Sequence, residues 1–470
     1  MSDRSPWRAF GVLALIEFLA VMDASIVNIA LPSIGDSLGF SPTMLAWVVD
    51  GYLIGLAGFM LVAGRATDLV GRRALFLAGV VAFTGFSVLC AVAVAPWQLI
   101  ASRVGQGVGA ALAMPSAIAL ITDLFPAGAA RNKALAAFSG MAGVAAPIGL
   151  VLGGALTATS WRWIFLINIP IGLFVVVAGL HLLPRGQRRT GAHLDILSAL
   201  GLTGGLVFLT VAVLRGGAQG WESVPTLLQF GAAAALLLTF SLRQAVGRNP
   251  LVPRELLRSR TIAIGNLIFV LVGTILLGTF FITTLYLQQV RGLDPLSAAL
   301  VYLPVPAAML AGTQLAPKFL RVGAPNTLMG ALVLQAISLA AWAVLMRIEG
   351  SLLLTFVVPA TVWALGLGVS IVCSFVVCTS DATPQLAGAA SGLATTSYQG
   401  GGAIGLALLA LLADVKTDHA GTGPIALTTG FAAALWASCA IAVIGAIATR
   451  LITASRRTSG ASDRQNALAE

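Results

Sequence analysis

The sequence is poor in charge: only 9% of its 470 residues are Asp, Glu, Lys or Arg, against 58% that are hydrophobic. So little charge excludes an ordinary soluble domain, and so much apolar content excludes a disordered chain. Apolar runs of about 20 residues, long enough to cross a bilayer as helices, recur along the whole chain. The sequence therefore predicts an all-α integral membrane protein without a soluble domain.

Residues that bind metals or nucleotides are also scarce. The four cysteines lie within apolar runs and show no metal-type pairing with the three histidines. No nucleotide-binding motif is present, so we expect no cofactor, no ATP-driven mechanism and no enzyme. The net charge of +10 comes from basic residues in short connectors rather than one patch, which argues against a nucleic-acid partner.

The apolar runs form a series of six predicted spans, a separate pair and six more, about fourteen in all. This count, with both termini in the cytoplasm, places most Lys and Arg on the cytoplasmic side. The first run carries Glu17 and Asp23 and lacks a cleavage site, so we expect it to be retained. The predicted spans are residues 10–31, 44–63, 74–94, 97–125, 134–158, 163–183, 196–214, 226–242, 261–287, 297–316, 326–346, 352–379, 388–413 and 425–451.

The spans define four predicted segments of the chain. Glycine-rich runs occur in the fifth span of each block of six, as expected for repeated blocks that share a site at their interface. The segments are a six-helix bundle at 1–184, a linker with two inserted helices at 185–250, a second six-helix bundle at 251–454 and a cytoplasmic tail at 455–470, expected to be disordered.

Three charged residues inside spans are predicted to share one depth. At a rise of ~1.5 Å per residue, Asp23 lies ~12 Å from the outer end of its span, and Asp50 and Arg103 lie ~9 Å from theirs. A buried cation needs an anionic partner, so Arg103 should pair with one or both aspartates. Either this is a static ion pair between spans, or one acid carries a proton. Glu17, nearer the cytoplasmic end, is a second candidate with an inner-gate or structural role.

Several motifs have a recognisable spacing. The stretch GRATDLVGRR (64–73) could be a simple positive-inside loop, but it resembles the cytoplasmic loop motif of the major facilitator superfamily. MDASIVNIALP (22–32), ASRVGQGVGAA (101–111) and the glycine run through Pro147 resemble motifs of the drug:proton antiporters. SWRWIFLINIPIG (160–172) and the inserted pair resemble the fourteen-helix branch, which exports drugs and antibiotics. Two stretches depart from the family pattern. Ala146 replaces the usual glycine of the fifth-helix motif, and KFLRVGAPN (318–326) resembles the cytoplasmic loop motif only weakly.

The resemblance implies a major facilitator fold and a function. The fold would be two six-helix bundles plus the inserted pair, as a monomer in the inner or plasma membrane. The function would be proton-coupled export of a lipophilic or cationic small molecule by alternating access, with protons and the lipid bilayer as further partners. An uptake symporter on the same fold and a lipid scramblase or flippase are the alternatives.

The resemblance also assigns roles to residues. A conformational latch, with its Asp at the start of the third helix, would consist of Gly64, Asp68, Gly71, Arg72, Arg73 and Asp123. The antiporter-motif helix would use Gly143, Pro147, Gly149, Gly153 and Gly154, for which close helix packing is the simpler interpretation.

Polar and aromatic residues within the spans are candidates for the substrate cavity. Amide and aromatic surfaces suit a bulky, lipophilic substrate, although many such residues serve as interfacial anchors or in helix packing. The candidates are Asn28, Asn266, Tyr286, Gln288, Gln289, Tyr398, Gln399 and Trp363.

Overall fold

The computed structural model describes residues 6–126, 128–184, 196–246, 253–347, 349–383 and 386–467. These residues are almost all helical, and they contain no β-strand. Helices satisfy every backbone N–H and C=O within one segment, which is what apolar spans require in lipid. The all-α prediction is confirmed.

Seventeen α-helices occur in the described ranges. They are α1 (Pro6–Leu38), α2 (Pro42–Val70), α3 (Arg72–Ala91), α4 (Pro96–Leu124), α5 (Ala129–Thr157), α6 (Trp163–Leu166), α7 (Asn168–Leu182), α8 (Ile196–Gln219), α9 (Val224–Val246), α10 (Arg254–Arg258), α11 (Arg260–Leu285), α12 (Pro295–Tyr302), α13 (Pro304–Phe319), α14 (Ala324–Leu345), α15 (Val358–Thr379), α16 (Ala387–Ala420) and α17 (Pro424–Ala467).

Each predicted span coincides with helical structure. Eleven helical segments of the described chain are long and apolar enough to cross a membrane. The other three predicted spans fall on α2, α5 and α8, which contain the shorter apolar stretches Met44–Met60, Val144–Thr157 and Leu200–Val213. The protein is therefore a multi-pass membrane protein.

The structure departs from simple helices in several places. Span six breaks at Ile167, and span ten breaks at Leu303, where the following Pro304 has no N–H to continue the helix. Five-residue π-helical turns end α11 and precede α15. Helix α17 continues to Ala467, so its backbone is helical over residues 455–467 of the predicted tail.

The two bundles repeat one packing pattern. In the first, α1 packs on α5, and α2 and α3 pack on α4; in the second, α11 packs on α16, and α13 and α14 pack on α15. The halves meet where α2 packs on α16 and α5 packs on α12. The inserted helices α8 and α9 pack on each other, and α8 also packs on α2 and α16. The pair therefore lies beside the boundary between the halves.

Glycines bring α2 and α4 into close contact where the charged site lies. A Cβ on Gly55 would stand 2.4 Å from the carbonyl oxygen of Val104, and one on Gly107 would stand 2.1 Å from that of Tyr52. Only glycine permits such close backbone approach. This contact lets Arg103 on α4 reach the backbone of α2.

Candidate functional site

Arg103 joins three helices of the first bundle. It is fully buried on α4 and forms an ion pair with Asp23 of α1, which is also fully buried. Its Nε–H donates to the carbonyl oxygen of Val48 at 2.8 Å, and its Nη1 donates to Oε1 of Gln106 at 2.9 Å. The guanidinium carbon lies 4.7 Å from the centre of the Tyr52 ring. One cation therefore ties α1, α2 and α4 together.

Amide and hydroxyl groups form further hydrogen bonds around this buried ion pair. Asn168 donates to Oδ1 of Asp23 at 2.8 Å, and Gln106 donates to the same oxygen at 3.5 Å and to Oγ of Ser87 at 2.7 Å. Such added hydrogen bonds offset the cost of taking two charges out of water. The sequence analysis missed these amides, although Gln106 shares the helix face of Arg103 and Asn168 is an isolated amide in an apolar run.

Asp50 lies apart from the ion pair, so of the two predicted partners Arg103 uses only Asp23. Asp50 is fully buried on α2, and neither carboxylate oxygen has a hydrogen-bond partner among the described residues. Arg103 contacts α2 through Val48 and Tyr52 instead. Two residues along a helix are about 200° apart, so Asp50 and Tyr52 lie on nearly opposite faces.

The face of α2 that carries Asp50 meets the second bundle. Trp47 lies three residues earlier and so shares this face. It packs in a hydrophobic cluster with Ala407 and Leu411 of α16. That cluster also includes Val213 of α8, so Asp50 lies on the side of α2 that faces α8 and α16, away from Arg103 in the first half.

Glu17 is separate from both groups. It is half-buried on α1, and its Oε2 is buried without a hydrogen-bond partner in the described part of the chain. No hydrogen bond connects it to the Arg103 network in that part of the chain. Its inner-gate or structural role remains a prediction.

The predicted latch is partly assembled where the start of α3 meets the end of α4. Arg72 forms an ion pair with the half-exposed Asp123 and donates to the carbonyl oxygen of Ala119 at 3.2 Å. Gly71 separates α2 from α3 with φ +97°, a conformation that favours glycine. Asp68 lies in the last turn of α2, so its predicted place at the start of the third helix is wrong: α2 continues to Val70 before Gly71 breaks it. Its side chain lies outside the described part of the structure.

Two further latch residues have different surroundings. Arg73 donates to the carbonyl oxygen of Leu180 on α7 at 2.5 Å, which ties the start of α3 to the end of span six. A Cβ on Gly64 would meet nothing within 4 Å, so space alone does not require glycine there.

The glycines of α5 face two partners. A Cβ on Gly149 would lie 2.7 Å from the carbonyl oxygen of Met22, and one on Gly153 would lie 3.0 Å from that of Ile26, so both face α1 beside Asp23. A Cβ on Gly154 would lie 2.7 Å from Cα of Leu296, across the boundary on α12. Close packing therefore accounts for all three. Pro147 lies within α5, and the side-chain surroundings of Gly143 are outside the described set.

The two halves also touch near the C-terminal ends of α1 and α5. Gln288 donates from Nε2 to the carbonyl oxygen of Ile29 on α1 at 2.9 Å. Near Gly154, Asp294 caps α12 by accepting from the backbone N–H groups of Leu296 and Ser297. Hydrogen bonds from the side chain and backbone of Ser297 hold the pKa of Asp294 below its usual range. The halves are therefore in contact here as well as between α2 and α16.

The predicted cavity residues do not gather in one place. In the π-helical turn after α11, Tyr286 donates to the carbonyl oxygen of Arg347 at 2.6 Å, and Gln289 is exposed. Farther along α11, Asn266 accepts from Ser397 at 2.9 Å. The remaining candidates are the buried Asn28 on α1, the half-buried Tyr398 and Gln399 on α16, and the buried Trp363, whose ring centre lies 6.0 Å from that of Trp342.

Two six-helix bundles that meet along paired helices, with a buried ion pair in one of them, define a membrane transporter fold. The Major Facilitator Superfamily model matches residues 13–406, and the chain belongs to that superfamily. The family and the fold indicate a transporter rather than an enzyme.

Relatives with named activities are similar over most of the chain. The puromycin resistance protein of Streptomyces alboniger is 34% identical over 444 residues, 91% of this chain and 86% of that protein. The cephamycin export protein of Amycolatopsis lactamdurans is 34% identical over 397 residues, 83% of this chain and 82% of that protein. Among solved structures, a D-xylose–proton symporter covers 94% of this chain and 97% of its own, with 14% identity and a TM-score of 0.68, which shows the shared fold.

Proposed function

We propose that this protein exports lipophilic or cationic antibiotics from the cell in exchange for protons. The export and resistance proteins similar to it support the direction of transport and the class of substrate. The buried acidic residues supply candidate groups for proton coupling. Both termini lie in the cytoplasm in this proposal, and the protein acts as a monomer with the two bundles as its moving units.

The observation that carries proton coupling is the isolation of Asp50. Burying an ionised carboxylate without partners costs roughly several kcal/mol of folding free energy. Burying a protonated carboxyl group costs far less. With both oxygens buried and unpartnered in the described structure, Asp50 fits this arrangement in its neutral form. Asp23, by contrast, is paired with the Arg103 cation and accepts hydrogen bonds from two amides.

The position of Asp50 links its proton to the movement of the halves. When α2 and α16 are packed together, only the neutral acid is accommodated at low cost. An opening that admits water to this face would allow Asp50 to ionise. A proton taken from outside would therefore accompany closure of the outer ends, and its release to the cytoplasm would precede binding of substrate from inside.

Transport into everted membrane vesicles tests the proposal. Puromycin, the compound in the name of one relative, serves as the probe, with other antibiotics in parallel. Export predicts that the probe accumulates inside vesicles when the interior is acidified, and that accumulation stops when the proton gradient is collapsed. Loss of probe from loaded vesicles under the same gradient would favour an uptake symporter instead.

A matched pair of variants tests whether Asp50 is the proton-carrying group. Asp50→Asn should lose gradient-driven accumulation, because asparagine cannot release a proton. Asp36→Asn, which changes an exposed aspartate at the outer end of α1, should retain it. Lipid translocation that persists without a gradient would favour the scramblase alternative.

A further inference from the structure

A cavity of about 590 Å³ lies between the inserted helix pair and the second bundle. Its apolar walls include Leu206 of α8, Phe240 of α9, Val270 of α11 and Ile404 of α16. The volume falls within the roughly 300–1,000 Å³ usual for ligand sites. None of the substrate candidates identified from the sequence lines it, although Ser397, which does, donates a hydrogen bond to the candidate Asn266.

One end of the cavity is basic and polar. Arg254 and Arg258 of the short helix α10 contribute to its wall, and both are exposed. Thr396 on α16 also contributes to the wall, and it is only 8% exposed.

We infer that this cavity binds an anionic phospholipid. Basic pockets between spans at a membrane surface bind acidic headgroups, and guanidinium groups bind phosphate oxygens through paired hydrogen bonds. The apolar walls would hold an acyl chain of the same molecule. Helix α10 lies in the connector between α9 and α11, so in the proposed topology the lipid comes from the inner leaflet.

The inference gives the inserted pair a function. Helices α8 and α9 supply one wall of the cavity, through Leu206 and Phe240, and α11 and α16 supply the opposite wall. Because α8 also packs on α2 and α16, a lipid seated here would lie beside the boundary where the halves move. The bound lipid thus becomes part of the packing between the inserted pair and the second bundle.

Native mass spectrometry of the purified full chain with phosphatidylglycerol tests the basic end. Replacing both arginines, Arg254→Gln with Arg258→Gln, should weaken the tightest lipid binding roughly tenfold or more. The control is Arg260→Gln with Arg321→Gln, which removes two exposed charges that do not line the cavity and should leave affinity unchanged. Equal affinity of the first variant and the unmodified protein would overturn the inference.

A second variant tests the apolar end without changing charge. A Cβ on Gly400 would meet only Leu206, at 3.9 Å, so Gly400→Leu should fill the cavity without a backbone clash and weaken phosphatidylglycerol binding. Binding of phosphatidylcholine as tightly as phosphatidylglycerol would overturn the anionic preference. Displacement of the lipid by millimolar inorganic phosphate would show a free-anion site and would also overturn it. These measurements need no transport, so they stand apart from the proposed export.

Discussion

The two buried aspartates should respond in opposite ways to the same substitution. In Asp23→Asn, the side chain keeps its shape but loses its charge, which leaves Arg103 buried with only the neutral acceptors Gln106 and Val48. Removing one partner of a buried ion pair costs about 3–5 kcal/mol. We therefore expect Asp23→Asn to lower the stability of the folded protein strongly.

Asp50→Asn should be close to neutral for stability. No hydrogen bond to the Asp50 carboxylate is lost among the described residues, and an amide of the same shape replaces a neutral acid. Such a change is expected to cost below about 1 kcal/mol. The difference between the two variants comes from the partners of each carboxylate, since both residues are fully buried.

Unfolding of the purified variants in one detergent, by heat and by denaturant, measures this difference. Asp36→Asn provides the exposed control. Combining Asp23→Asn with Arg103→Gln should recover part of the lost stability, because the double variant no longer buries an unpaired cation. If Asp50→Asn destabilised the protein as much as Asp23→Asn, Asp50 would be an ionised and paired group, and the reasoning would be refuted.

Three further predictions concern the movement of the halves. Gly154→Ala would place its Cβ against Leu296 and, in the proposed topology, should shift the protein toward outward opening, seen as faster labelling of a cysteine introduced at the exposed position 36, whereas Gly140→Ala has open space and should not. Gln288→Leu removes the hydrogen bond to α1 and should shift labelling in the same direction; unchanged labelling would remove Gln288 from the outer contact. Asp68→Asn should slow turnover with substrate affinity retained, and a selective loss of affinity would contradict the latch.

The helical fold and the Arg103 ion pair could be predicted from the sequence. Length and apolarity locate spans because lipid leaves few other structures possible. A buried guanidinium needs an anion, and depth along the helix limits the choice to Asp23 and Asp50. Both arguments depend on the position of a residue along a helix, which follows directly from its place in the sequence.

Rotation around a helix axis was harder to predict. Asp50 and Arg103 share a depth, but the packing of α2 turns Asp50 toward the second bundle, and one sequence does not fix that rotation. The residues predicted to line a substrate cavity do not lie together for a related reason. A polar side chain in a span can form a hydrogen bond to the backbone instead of facing a cavity, as Tyr286 does with the carbonyl oxygen of Arg347. The amides around Asp23 were missed because they come from α4 and α7, far from Asp23 in sequence.

The most direct test of the central claim is proton movement during transport. In proteoliposomes with a pH-sensitive dye inside, addition of the exported compound should cause proton movement opposite to the substrate in the unmodified protein. Asp50→Asn should bind the compound and move no protons. Substrate-driven proton movement of normal size in Asp50→Asn would contradict the assignment of Asp50 as the proton carrier.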